Sequence, residues 1–380
     1  MEITKSLKEK LLYILKKLIQ IPTENPPGKT EEVVNFLVNE VFKKEEGYRN
    51  TIITHMRNGV KLHNLISRIG SGKKRILLSG HFDVVPVGDQ TKWNYPPFSA
   101  KVVDGKVYGR GSADMKGGIT SLIGVMKILE SNSAFMENCE LIFLGTADEE
   151  TGMSGSLILT EKGFVDNAEL LIIAEPTNLK IGIAEKGLLW VILKVYGKSA
   201  HGSMPSEGIN AIEAIIDIIP QLYDCLETKE NKILGKSTVN IGKIKGGSKI
   251  NIVPDFLELE VDFRLIPEQN HENLINKLKK IKSKSCRIEL EIAKSNSSLQ
   301  SDWNDHFIQN LRKISNTKCI GLSYATDAVN YVDPTNPIPF IIFGPGSPDV
   351  VHKINEWIAL DQVFKATELL TRALLNTYIE

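Results

Sequence analysis

An apolar run ends in a histidine and an aspartate two residues apart, in Leu77-Leu78-Ser79-Gly80-His81-Phe82-Asp83. That spacing suits a metal-ligating imidazole oriented by a nearby carboxylate. The glycine-rich stretch Tyr108-Gly109-Arg110-Gly111-Ser112-Ala113-Asp114-Met115-Lys116-Gly117-Gly118 delivers Asp114 at the mouth of a following helix. Thr146-Ala147-Asp148-Glu149-Glu150-Thr151-Gly152 and Ala174-Glu175-Pro176 each follow another apolar run, and Gly344-Pro345-Gly346 precedes Val351-His352-Lys353. Singly, each piece has a structural explanation: an H-x-D at a strand end, or an acidic pair in a solvated turn. The glycine-rich loop matches neither G-x-x-x-x-G-K-[ST] nor G-x-G-x-x-G, so it is not read as a phosphate cradle. Jointly, the order is His, Asp, Glu-Glu, Glu, His. Two histidines and three carboxylates, one of them bridging, give each of two metals three protein ligands and leave room for water. Glu149 beside Glu150 is sensible in that setting, because one carboxylate tied to a metal leaves its neighbour free to accept protons.

The elements that must position these groups alternate. Leu7–Ile21 has helical spacing and stops at Pro22, and Pro22–Gly28 (PTENPPG) reads as a loop. Thr30–Lys44 is predicted as a helix capped by Thr30. Asn64–Ile69, Arg75–Ser79, Glu140–Thr146 and Leu170–Ala174 read as strands, several apolar throughout as in a sheet covered on both faces, and Gly118–Glu130 as a helix. This alternation predicts an α/β domain with a largely parallel sheet, whose carboxyl ends are the expected site edge. From Glu185 the pattern changes. Leu188–Tyr196, Gly208–Leu226, Ser237–Ile244, Phe256–Leu265, Glu272–Lys284 and Arg287–Ala293 run strand, helix, strand, strand, helix, strand, the ferredoxin-like order. Residues 186–297 are therefore expected as an inserted domain, with 1–185 and 298–380 forming the larger one.

The length of 380 residues agrees with two domains. Formal net charge is zero, so nothing favours nucleic acid or an anionic membrane as partner. Met1–Lys17 mixes charges with its apolar residues and so lacks a signal-peptide core. No stretch approaches the roughly 20 apolar residues of a membrane span, and the expected location is the cytoplasm. Cys139, Cys225, Cys286 and Cys319 contain no C-x-x-C spacing and are read as free thiols.

His81-Phe82-Asp83, Gly111–Gly118, Asp148-Glu149-Glu150, Glu175-Pro176, Lys198-Ser199-Ala200-His201-Gly202-Ser203 and Asn251-Ile252-Val253-Pro254 resemble a known family. It is the dinuclear zinc family of aminoacylases, carboxypeptidase G, acetylornithine deacetylase and succinyl-diaminopimelate desuccinylase. The resemblance covers essentially the whole chain and implies a zinc-peptidase-like catalytic domain with a ferredoxin-like lid that forms a homodimer. It implies two zinc ions per subunit, with Co2+ or Mn2+ as possible replacements. Asp114 bridges them, His81 and Glu175 complete one site, and Glu150 and His352 complete the other. Glu149 is implied as general base to a zinc-activated water, Asp83 as the group orienting His81, and His201 as an oxyanion donor in the partner's active site. The peptide after Asp114 is expected to be cis. Arg264 either grips a substrate carboxylate or makes a structural salt bridge, and Asn251, Thr326 and Gly344 are expected along the substrate pocket. The implied substrate is a small N-acyl amino acid of the N-acetylornithine or N-succinyl-diaminopimelate type. A dipeptidase or carboxypeptidase on the same scaffold is the alternative, and a non-enzymatic binding module a third. His55, His63, His271 and His306 lack any such setting and are read as surface or packing residues.

Overall fold

The computed structural model describes residues 3–379; Met1, Glu2 and Glu380, which the expected domain limits include, lie outside the described residues. The chain divides into two compact units, one of Met1–Ile183, Ser301–Ile320 and Thr326–Glu380, the other of Ala184–Gln300 with Gly321–Ala325.

In the first unit the sheet runs in the order Arg49–Arg57, Val60–Gly70, Cys139–Thr146, Lys74–His81, Ala168–Ile173, Phe340–Ile342 and Ile181–Glu185. The four strands from Cys139–Thr146 to Phe340–Ile342 are mutually parallel, and the flanking pairings are antiparallel. Leu77, Leu78, Ile142, Phe143, Leu171 and Ile172 are fully buried, which is why these strands read as unbroken apolar runs. The helix Gly117–Leu129 packs against Leu360–Tyr378 and Lys5–Gln20. His81 stands opposite Thr146, and Ile173 opposite Ile342, so the parallel strands end together along one edge.

The second unit holds a fully antiparallel sheet in the order Thr238–Gly246, Phe256–Leu265, Gly187–Tyr196, Arg287–Asn296. Alternate residues Leu189, Val191, Leu193 and Val195 face a core shared with Ile218 and Leu222 of helix Ile215–Asp224 and Leu274 and Leu278 of helix His271–Leu278. Two helices on one face of this strand order is the split β-α-β arrangement.

Several elements differ from expectation. The predicted helix over 30–44 is α-helical only over Glu31–Phe36 and widens into a π turn at Leu37–Val41. Thr30 does not cap it, because its hydroxyl donates to the His63 carbonyl at 2.7 Å and accepts from the His63 N–H. The predicted helix over 208–226 begins only at Ile215, and that over 272–284 ends at Leu278 before the lysine-rich stretch. The outer strand Arg49–Arg57 and the hairpin Lys101–Val103 with Lys106–Tyr108 were not expected; their polar, partly exposed residues carry little apolar period. Cys139, Cys225 and Cys286 are buried free thiols, and Cys319 is half-buried.

Candidate metal centre

The parallel strand ends deliver His81, the Asp148–Glu150 turn, and Glu175, while the loop before the buried helix Gly117–Leu129 delivers Asp114. Asp114 turns its two oxygens to two different imidazoles. Its Oδ1 lies 3.1 Å from His81 Nε2, and its Oδ2 lies 3.2 Å from His352 Nε2. Each imidazole has a second carboxylate of its own: Glu175 Oε1 at 3.6 Å from His81 Nε2, and Glu150 Oε2 at 3.1 Å from His352 Nε2. The sequence-predicted ligands are thus brought together as two acid–imidazole–acid sets sharing Asp114. The Asp114–Met115 peptide is cis.

This donor set fits a pair of divalent cations. Ligands about 2.0–2.2 Å from a common tetrahedral ion stand roughly 3.4 Å apart, which is the separation seen here. Burial pushes the carboxyls of Glu149 and Glu175 well above their ordinary range, and neighbouring carboxylates add to the shift. Asp114 is held the other way: burial opposes its ionisation, but hydrogen bonds from His352 and His81 keep it below the usual range. Hydrogen bonds to Asp114 and Glu150 raise His352 to about 10. Four clustered acids against two imidazoles are an excess of negative charge that cations relieve.

One role is distributed differently from expectation. The His81 Nδ1 proton goes to the main-chain carbonyl of Asp83, at 2.9 Å, while the Asp83 carboxylate is 3.8 Å from that nitrogen. The carboxylate instead accepts the N–H groups of Glu149 and Glu150, at 3.1 and 3.2 Å. Asp83 therefore orients His81 through its backbone and shapes the Glu149–Glu150 peptide through its side chain. Glu149 itself is half-buried, and among the described residues its carboxylate makes no hydrogen bond or ion pair.

Gly344 lies behind Glu175. A β-carbon at 344 would stand 2.5 Å from the Ala174 carbonyl oxygen and 2.6 Å from that of Glu175, and one at Gly118 would stand 1.9 Å from the Ala174 oxygen. Both glycines permit a close approach to the peptide that carries Glu175. Thr326 is buried, and its hydroxyl accepts from Ala328 N at the start of helix Ala328–Tyr331. Three further residues of the expected set sit in the second unit. His201 is exposed, and its Nδ1 lies 2.7 Å from Ser203 Oγ and 3.2 Å from Ser203 N, which leaves Nε2 free. Gly202 N donates to Asn251 O at 2.7 Å, which sets Asn251 beside the His201 turn. Arg264 Nε lies 3.0 Å from the Asp262 carboxylate, the salt-bridge alternative.

Two groups central to the first unit's site carry no role in the sequence reading, although the stretch His352–Glu356 resembles the deacylase branch of the family. Glu356 is buried; its Oε1 accepts the N–H groups of Ala113 (2.9 Å) and Asp114 (3.2 Å), and its Oε2 meets Arg110 Nη1 at 2.7 Å. Arg110 also donates to the carbonyls of Lys353 and Pro86, so this pair joins the loops following His81, carrying Asp114 and carrying His352. Asp327 is buried and accepts from Thr146 at the end of the strand Cys139–Thr146 and from Ser156 in the helix Ser154–Glu161. An Asn-Glu dipeptide at 355–356 downstream of the histidine is the only mark either leaves in the sequence.

The sequence profile of peptidase family M20/M25/M40 matches residues 77–376, the span that contains every one of these ligands. The chain belongs to this family. It is 31% identical over 412 aligned residues to a probable succinyl-diaminopimelate desuccinylase of Staphylococcus aureus strain MRSA252, covering 97% of this chain and 98% of that one. It is 33% identical over 330 aligned residues to an acetylornithine deacetylase of Vibrio cholerae, covering 82% and 83%. In fold it is similar to the M20 metallo-carboxypeptidase Sso-CP2 of Sulfolobus solfataricus, with a TM-score of 0.77 at 22% identity over 97% of this chain and 99% of that one. It also resembles the dinuclear metal-binding M20 peptidase YXEP of Bacillus subtilis, with a TM-score of 0.69 at 16% identity over 99% of both chains. This M20 protein is a metallo-amidohydrolase. Among the described residues no helix is long and apolar enough to cross a membrane.

Proposed function

We propose that this protein removes an acyl group from the amide nitrogen of a small N-acyl amino acid, of the N-succinyl-diaminopimelate or N-acetylornithine type, with two zinc ions. The observation that carries this reading is the division of Asp114 between two separate acid–imidazole sets, with an unpaired carboxylate, Glu149, beside one of them. Bound there, two divalent cations supply Lewis acidity to an amide carbonyl and lower the pKa of a water towards about 7.

The residues then have distinct tasks. His81 and Glu175 would hold one cation and His352 and Glu150 the other, with Asp114 shared between the two sets. Glu149 takes the water's proton and returns it to the leaving amine nitrogen, so that the C–N bond breaks to give a carboxylate and a free amine. His201, whose Nδ1 is turned to Ser203, is assigned as the oxyanion donor through Nε2–H. We assign it to the active site of a second subunit, in a homodimer formed through residues 186–297, which act as a lid. Arg264, Asn251, Thr326 and Gly344 are assigned to the substrate pocket. The acyl class rests on the two curated relatives, whose lengths this chain spans almost fully in one case and by more than four fifths in the other.

Side-by-side assay of the zinc-loaded protein on N-succinyl-diaminopimelate, N-acetylornithine and a set of dipeptides tests the substrate class. An N-acyl amino acid is expected to be turned over at least about tenfold more efficiently than any dipeptide. A preference for dipeptides would move the reading to a peptidase.

A further inference from the structure

The loop Pro22–Gly28 contains a buried amide that none of the ligands needs directly. Asn25 is 5% exposed, and its own N–H is fixed to the Val84 carbonyl at 2.8 Å. Its Nδ2 donates to Asp83 Oδ2 at 2.8 Å, to Asp148 Oδ1 at 3.0 Å and to Thr151 Oγ1 at 3.2 Å. One NH2 group thus links two buried carboxylates that belong to two different strand ends. The Asp83 carboxylate carries the N–H groups of Glu149 and Glu150. Asp148 forms the turn just before them, in the left-handed region at φ 73°, where a non-glycine residue needs support. That support is Thr151, Ser154, Arg57 and Asn25.

Two buried carboxylates that share one donor repel each other once that donor is removed, and in a low-dielectric interior that repulsion is large. Without the amide, the Asp83 and Asp148 carboxylates would move apart. That movement releases the N–H groups that fix the Glu149 peptide. Asn25 touches neither a metal ligand's donor atom nor any place a substrate could reach by these contacts. We propose that Asn25 is a positioning residue, which holds the strand end after His81 and the turn of Glu149 at the distance the base requires. This inference rests on Glu149 being the base.

The test is a double-mutant cycle on the zinc-loaded protein with Asn25→Ala and Glu149→Ala, measured at saturating substrate and, for the slow variants, high enzyme concentration. Misplacing a reacting group by about 1 Å costs on the order of 100-fold. Asn25→Ala should therefore lower kcat by about 10- to 100-fold with KM within about threefold, and Asn25→Asp, which keeps the shape and removes both donor protons, should do the same. In the Glu149→Ala background the same substitutions should lower the residual turnover by less than about threefold, because the group they position is gone. The visible bands of the Co2+-substituted protein, a readout independent of turnover, should shift, since Glu150 hangs from the same Asp83 carboxylate. Equal losses in both backgrounds, unchanged kcat per loaded site, or unshifted Co2+ bands would overturn the proposal. If Glu149→Ala alone retains turnover, the base assignment fails, and that result is distinct from any outcome for Asn25.

Discussion

Replacing Glu356 by glutamine changes one charge and no shape, and it separates the two tasks of that side chain. The carboxylate is 1% exposed and Arg110 is 3% exposed, so the pair has almost no water to fall back on. In Glu356→Gln the amide either turns its NH2 to Arg110, setting donor against donor, or turns it to the N–H groups of Ala113 and Asp114, with the same conflict. A buried guanidinium left without its counter-charge costs about 3–5 kcal/mol. For a domain of this size that is a fall in the unfolding midpoint on the order of 10 °C. Equilibrium urea unfolding of the metal-free protein at pH 8 reads the stability, and competition with a chelator reads zinc affinity. Arg110→Met with Glu356→Leu removes both charges together. That double variant should recover only part of the lost stability, because no unpaired charge remains but the Ala113 and Asp114 N–H groups lose their acceptor, and it should bind zinc at least about tenfold more weakly for the same reason. Stability within about 1 kcal/mol of the parent in Glu356→Gln, or parental zinc affinity in the double variant, would refute the reasoning.

Other consequences follow from individual contacts. Gly344→Val should weaken zinc binding by at least about tenfold while the protein still folds, since its β-carbon would displace the Glu175 peptide; isothermal titration with Zn2+ reads this directly. Mixing inactive Glu149→Ala and His201→Ala proteins should restore activity on subunit exchange, because one site of the mixed dimer holds both groups; confirmed exchange without activity would remove His201 from the partner's site. Glu46→Gln should lower stability slightly at neutral pH. The hydrogen bond from Lys127 holds Glu46 below its ordinary value of 4.5, so the contribution is present above that value and lost as pH falls below it. Urea midpoints of the two proteins should therefore converge in acid.

The ligands were legible because chemistry and fold mark the same places: an apolar run long enough to be a buried parallel strand, then a histidine or acid at its end. His81, Glu150 and Glu175 all stand there, and Asp114 was marked by the glycines around it. What could not be read was which atom of a residue does the work. Asp83 was expected to orient His81 by its carboxylate, but an i, i+2 spacing at a strand end leaves the carbonyl nearer the ring. Glu356 and Asn25 were missed because each acts on backbone or carboxylates brought from over a hundred residues away in some cases, and a lone acid or amide in a loop carries no period. The cap expected at Thr30 failed for a similar reason: His63, distant in sequence, takes the hydroxyl that would have capped the helix beginning at Glu31.

The account turns on Glu149 moving the proton while other residues hold the metals. Zinc content and kcat of Glu149→Ala, measured on one preparation, test this most directly. The expected result is two zinc ions per chain with turnover lower by at least about 100-fold. Near-parental turnover in the fully loaded variant, or a single zinc ion per chain in the parent, would contradict it.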